Sequence, residues 1–207
     1  MKTKSIFFLP IFAACAFALF SNCSGSKKES ADHDEQKEQD TTADAGGSVA
    51  DAAEPEFSVA PAFQQQLAGV FTAYVSLKDA FVASDVNKVK NEAAAVKAAM
   101  ASTDMKLLTG AAHNDWMNYL EGIDTALKQI EVATDIEVQR EAFSKLSENM
   151  YKSIKAYGLG GATAYYEFCP MAFNNQGAYW LSSEDKIRNP YFGDQMLTCG
   201  EVKEKLK

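Results

Sequence analysis

Four stretches of apolar residues at three- and four-residue spacing, each closed by a short break, constrain this chain more than any other feature. In PAFQQQLAGVFTAYVSLKDAFVASD, Leu67, Val70, Phe71, Tyr74, Leu77 and Phe81 fall on one helical face. Val86, Val89, Ala93, Val96 and Met100 repeat the pattern after Ser84 or Asp85, either of which can cap a helix N-terminus. A third period runs from about Asp104 to Ala133 through Ala112, Trp116, Tyr119, Ile123, Ala126 and Ile130, with a break expected near Thr109-Gly110. Thr134-Asp135-Ile136-Glu137 has the form of a capping box. The fourth stripe it opens, Ile136, Phe143, Leu146, Met150, Ile154 and Tyr157, ends on Gly158-Leu159-Gly160-Gly161. Those glycines lack the lysine and the preceding strand of a phosphate loop, so they read as helix termination. Short breaks favour antiparallel neighbours. The expected fold is mainly α, an up-down antiparallel four-helix bundle.

After Gly161 the pattern changes. Ala164 to Phe168 is aromatic-rich and strand-like, Asn174-Asn175-Gln176-Gly177 is turn chemistry, and Ala178 to Leu181 reads as the returning strand. Ser182 or Ser183 is expected to cap a short turn of helix through Ile187, before Asn189-Pro190-Tyr191-Phe192-Gly193 forces an irregular segment. This irregular/β C-terminal tail is too small to hold a core of its own, so its aromatics are expected to pack on the bundle.

The other end of the chain points to export. Lys2 and Lys4 precede an apolar run from Ile6 to Phe20 that is too short for a comfortable membrane span, and a polar, charged run follows Cys23. The order resembles a bacterial lipoprotein signal with Cys23 as the acylated residue. Cys15 is the rival, but cleavage there leaves Phe17 to Phe20 as an apolar stub. Residues 1–22 are therefore expected to be a lipoprotein signal peptide and 23–56 a lipid-anchored, disordered acidic tether. The tether has almost no large apolar side chain with which to offset the cost of ordering. His33, between Asp32 and Asp34, belongs to the tether and reads as a solvated residue. Residues 57–207 form the single folded domain. The expected location is the periplasm-facing or cell-surface side of a bacterial envelope membrane, reached through the lipid anchor. The formal charge of -8 argues against nucleic acid and anionic lipid as partners.

Four cysteines occur, and only Cys169 and Cys199 lie beyond the leader region, each close to a methionine in Cys169-Pro170-Met171 and Met196-Leu197-Thr198-Cys199. Proline disfavours helix in the residue before it, so Cys169 is expected to be extended and to share a side with Met171 two residues on. Met196 and Cys199 are three apart, neighbours on one turn. Two thiolates and two thioethers brought together select Cu(I) and Ag(I) over harder cations. His113, at the margin of the third stripe, reads as a structural residue or, should the tail fold over that helix, as an optional fifth ligand. The competing reading is a disulfide between Cys169 and Cys199, common outside the cytoplasm and contributing about 3.6 kcal/mol through loop closure. No paired-histidine zinc helix, Cys-x-x-Cys motif, haem-attachment motif or Gly-x-Ser-x-Gly elbow is present, so no enzyme is expected.

CPMAFNNQGAYWLSSEDKIRNPYFGDQMLTCGEV, spanning roughly Tyr165 to Val202 with its flanks, resembles the C-terminal signature of a bacterial domain family of unknown function. That family occurs as exported lipoproteins and appended to periplasmic adaptor subunits of heavy-metal efflux pumps. Asp135 to Arg140, Phe143 and Leu146-Ser147 look like the same family. The Cys-Pro-Met start is similar to short heavy-metal-binding segments of those pumps, with Ala172 where they carry a histidine. The resemblance implies a metal-linked accessory role in the periplasm, an efflux-pump adaptor as partner, and Cys169, Met171, Met196 and Cys199 as ligands. It also implies a scaffold role for Arg140, Asn189, Pro190, Tyr191 and Gly193. Two functions stand side by side. One is a non-catalytic copper- or silver-binding lipoprotein accessory to efflux, the other a disulfide-stapled interaction module without metal.

Overall fold

The computed structural model describes residues 54–207; the leader, Cys15, Cys23 and His33 lie outside the described residues. Four helices, α1 (Pro61–Val82), α2 (Val86–Ala101), α3 (Gly110–Val132) and α4 (Ile136–Tyr157), precede three strands, β1 (Ala164–Cys169), β2 (Ala178–Ser182) and β3 (Glu201–Leu206). Among the described residues no helix is long and apolar enough to cross a membrane.

The helices pack in chain order, with α4 returning to α1, and form the expected up-down bundle. Each buries the stripe read from its sequence. Leu67, Val70, Tyr74, Leu77 and Phe81 of α1 and Phe143, Leu146, Met150 and Ile154 of α4 are all at or near zero exposure. Edge-on aromatics fill one end, where Phe63 meets Trp116 at 5.0 Å and Tyr157 at 5.3 Å. Such pairs add about 1 kcal/mol each beyond the area they bury.

Helix boundaries follow local chemistry. Asp85 caps α2 by accepting from Asn87 N and Lys88 N, both at 3.0 Å. The third period divides as its glycine suggests. A 3-10 turn at Met105–Leu107 is followed by α3, which opens at Gly110 rather than Asp104. The cap of α4 is Asp135, not Thr134 of the expected capping box. A carboxylate one residue nearer the helix accepts from Glu137 N at 2.8 Å and Val138 N at 3.3 Å, and Glu137 is left to pair with Arg140.

The tail is more ordered than its sequence suggests. β1 and β2 form the expected hairpin, and β3 adds a third antiparallel strand that the sequence reading did not anticipate, giving the order β2-β1-β3. The segment after Ser182 is a bend, not a helical turn, although Ser182 Oγ does accept from Glu184 N at 3.2 Å. The sheet rests on α4 and α1. Tyr166 stacks on Tyr151 at 3.9 Å, and the Tyr151 hydroxyl donates to Glu204 at 2.6 Å. From α1, the Tyr74 hydroxyl accepts from Leu181 N at 3.1 Å and donates to Ser147 Oγ at 2.6 Å.

Candidate functional site

β1 ends at Cys169, whose side chain is wholly buried, and Pro170 turns the chain at once. Met171 adopts a helical backbone conformation and is 47% exposed. The two-residue alternation expected to bring the Cys169 thiol and the Met171 thioether to one side therefore stops at Cys169. The turn that follows is strained: Phe173, Asn174 and Asn175 all take positive φ, between 50° and 66°. That conformation costs side-chain-bearing residues free energy, and Asn tolerates it best.

Cys199 reaches Cys169 from thirty residues on. The two sulfurs lie 2.9 Å apart. The approach is held by Asn189, whose Nδ2 donates to Cys199 O at 2.7 Å while its Oδ1 accepts from Tyr191 N at 2.8 Å. Gly200 permits it. At its φ of +146°, a Cβ there would lie 2.8 Å from the Trp180 ring and 3.0 Å from Phe168 O. Met196 is half-buried on the same turn as Cys199, and its carbonyl accepts from Cys199 N at 3.0 Å.

One guanidinium fixes this segment to the bundle. Arg140 Nε donates to Pro190 O at 2.9 Å, Nη2 donates to Ser84 Oγ at 2.9 Å, and Nη1 pairs with Glu137 at 2.6 Å. The scaffold role expected of Arg140, Asn189 and Pro190 is met by these contacts. Tyr191 packs on Trp180 at 5.9 Å and on Phe143 of α4 at 6.0 Å, and its hydroxyl donates to Tyr179 O.

His113 stands elsewhere. It is half-buried in the first turn of α3, next to Ala112, whose carbonyl accepts from the Tyr157 hydroxyl at the C-terminal end of α4. The sheet packs chiefly on α4 and α1, whereas His113 belongs to α3.

The donors brought together are thus two thiols, with Met196 three residues before Cys199 in the chain and Met171 exposed on the turn after Cys169. Among the described residues no group of three or more His, Cys, Asp or Glu side chains gathers where it could hold a metal ion. Four-ligand structural zinc has no donor set here, whereas two thiolates match the preference of soft monovalent ions. Burial, then the hydrogen bond and charge of Cys169, push the Cys199 thiol up to about 11. The reduced Cys199 thiol is therefore protonated at neutral pH, and a metal must displace its proton to bind.

Two residues before Cys169, on the buried side of β1, sits a group the sequence did not flag. Glu167 is fully buried and neither carboxylate oxygen has a hydrogen-bond partner. Burial raises its carboxyl to about 8, opposed chiefly by the charge of Lys78; its cross-strand partner on β2 is Trp180. Lys78 is itself buried and lies 2.8 Å from Asp79. A lone acidic residue in an aromatic strand reads as part of a solvent face, and no local pattern marks it as buried.

No curated protein and no solved structure matches the chain. Residues 70–161, which run from the middle of α1 to the glycines after α4 and stop short of both cysteines, match the model of a family described as protein of unknown function (DUF3347).

Proposed function

We propose that this is an exported, non-catalytic accessory protein that binds a soft monovalent ion, Cu(I) or Ag(I), through Cys169 and Cys199. The single observation that carries the reading is the meeting of two thiols from distant segments, 2.9 Å apart, on a framework built to hold them. Met196 is the third donor, and Met171, exposed beside the strained turn, is positioned for capture of the ion from solution or from a partner. Two metal–sulfur bonds of about 2.3 Å at a wide angle need a sulfur separation of roughly 4 Å. Cys199 supplies that opening, because it lies on an irregular segment at the surface. The lipid anchor at Cys23 and an efflux-pump adaptor as the partner belong to the same proposal, supported by the leader sequence and the tail resemblance.

The separation favours a second reading as well. A disulfide of about 2.05 Å asks the sulfurs to close by under 1 Å, and would make the tail a stapled interaction module. One experiment divides them. Reduced protein is titrated with Cu(I) against a competing chelator, alongside thiol labelling of unreduced protein as isolated from the envelope, before and after chelation. The metal reading expects one tight site, lost in the Cys169→Ser/Cys199→Ser protein, and labelling restored by chelator alone. A pair that stays blocked until a reductant is added, with weak ion binding unchanged by the double substitution, establishes the staple instead.

A further inference from the structure

Sulfur is also concentrated on a different face. Of the seven methionines, one is Met1, and three of the other six line a single groove of about 630 Å³. Met100 comes from the end of α2, Met105 from the 3-10 turn and Met117 from α3, over a floor that includes the core residues Ile123 and Leu127. Met100 is 5% exposed, but Met105 and Met117 are 40% and 42% exposed. Two large apolar side chains are thus held in water beside a third, at a cost that scales with about 25 cal/mol per Å². The charges at the rim mostly neutralise one another. Lys97 pairs with Glu131 at 3.2 Å and Asp124 with Lys128, whereas Glu121 has no ion-pair partner among the described residues.

We propose that this groove is a second soft-ion site, in which the thioethers of Met100, Met105 and Met117 hold Cu(I) or Ag(I). A thioether is a neutral, soft donor, which favours Cu(I) and disfavours hard cations. Three rotatable bonds give each exposed side chain the freedom to turn its sulfur toward the groove that all three line. Glu121 contributes an uncompensated negative charge that draws a cation to the groove without serving as a ligand. A thioether carries no proton to displace and forms no disulfide. Binding here is therefore independent of thiol redox state and of pH near neutrality, unlike binding at the Cys169–Cys199 pair.

The test uses full-length protein carrying Cys169→Ser and Cys199→Ser, titrated with Ag(I) while the methionine ε-methyl resonances are followed by NMR. Saturable shifts of Met100, Met105 and Met117 are expected, with Met150 in the core unmoved and the affinity constant within about twofold between pH 6 and 8. Met105→Leu with Met117→Leu keeps volume and helix content and abolishes the shift of the remaining Met100 methyl, and Met105→Leu alone weakens binding at least tenfold. Absence of saturable shifts, or binding that survives the paired Leu substitution, overturns the proposal. So does an amphipathic helical peptide that moves these methyls when Ag(I) does not, since the groove is then a docking face. The titrated protein has no thiol at the other site, so this outcome and that of the Cu(I) experiment are independent.

Discussion

The bundle and the tail reach order by different routes. In the bundle, apolar side chains from four helical stripes interlock, and much of the contact is apolar and spread over many residues. In the tail, three short strands and an irregular loop are held by individual polar groups: Asn189 on Cys199, Arg140 on Pro190 and Tyr74 on Leu181. Stability spread over many contacts tolerates variation. Stability focused on a few hydrogen bonds fixes atoms in place, and it is the tail that holds two thiols at contact.

The largest test of this contrast is Phe143→Ala. Phe143 packs on Phe81 at 4.5 Å, on Tyr74 at 5.3 Å and on Tyr191 of the tail. Its loss is expected to cost about 3–5 kcal/mol and to lower the thermal midpoint of bundle and tail together. Separate transitions for far-UV and aromatic signals would break the picture of a tail that depends on the bundle.

Glu167 gives the next effect. With its folded carboxyl raised to about 8, the native state keeps a proton that the unfolded chain releases near pH 4.5. The native state binds more protons across that window, so stability falls as pH rises from about 4.5 to about 8 and levels off above it. The slope is at most ~1.4 kcal/mol per unit. In Glu167→Gln the slope from this group vanishes, and chemical denaturation at pH 5, 6.5 and 8 reads the difference.

Asn189→Ala removes two hydrogen bonds, one to each side of the loop, at roughly 2 kcal/mol. It sharpens the contrast because helix content should stay constant while Cys199 labels faster in reduced protein. The smallest effect expected is that of Asp135→Ala, about 1 kcal/mol from loss of the α4 cap, with no change in thiol reactivity.

The same contrast explains what could be read in advance. Helical stripes are local, and Leu67 to Phe81 or Phe143 to Tyr157 announce a buried face without knowledge of the partner. The hairpin was legible from its aromatics and turn residues. β3 was not, because Glu-Val-Lys-Glu-Lys-Leu is an edge strand whose charges suit the sheet margin and mimic a solvated end. That the Cys169 and Cys199 thiols meet, whether as ligands or as a disulfide, was expected, whereas the placing of Met171 and His113 with them rested on assumptions about tertiary structure. Pro170 ends the strand before Met171, and the sheet settles on α4 and α1 instead of α3. Glu167 was silent for the same reason: burial of a single charge depends on which elements cover it.

Arg140 binds partners 50 and 56 positions away in the chain, at the α1–α2 corner and in the tail loop, as well as Glu137 within its own helix. A planar fork with several donors serves three such acceptors at once, and a lysine, with one ammonium point, does not. Mechanical load on the loop is consequently passed to the corner of the bundle through this rivet. If it is drawn out, the loop that leads to Cys199 loses its tie to that corner, while Tyr74 and Tyr151 still hold the sheet.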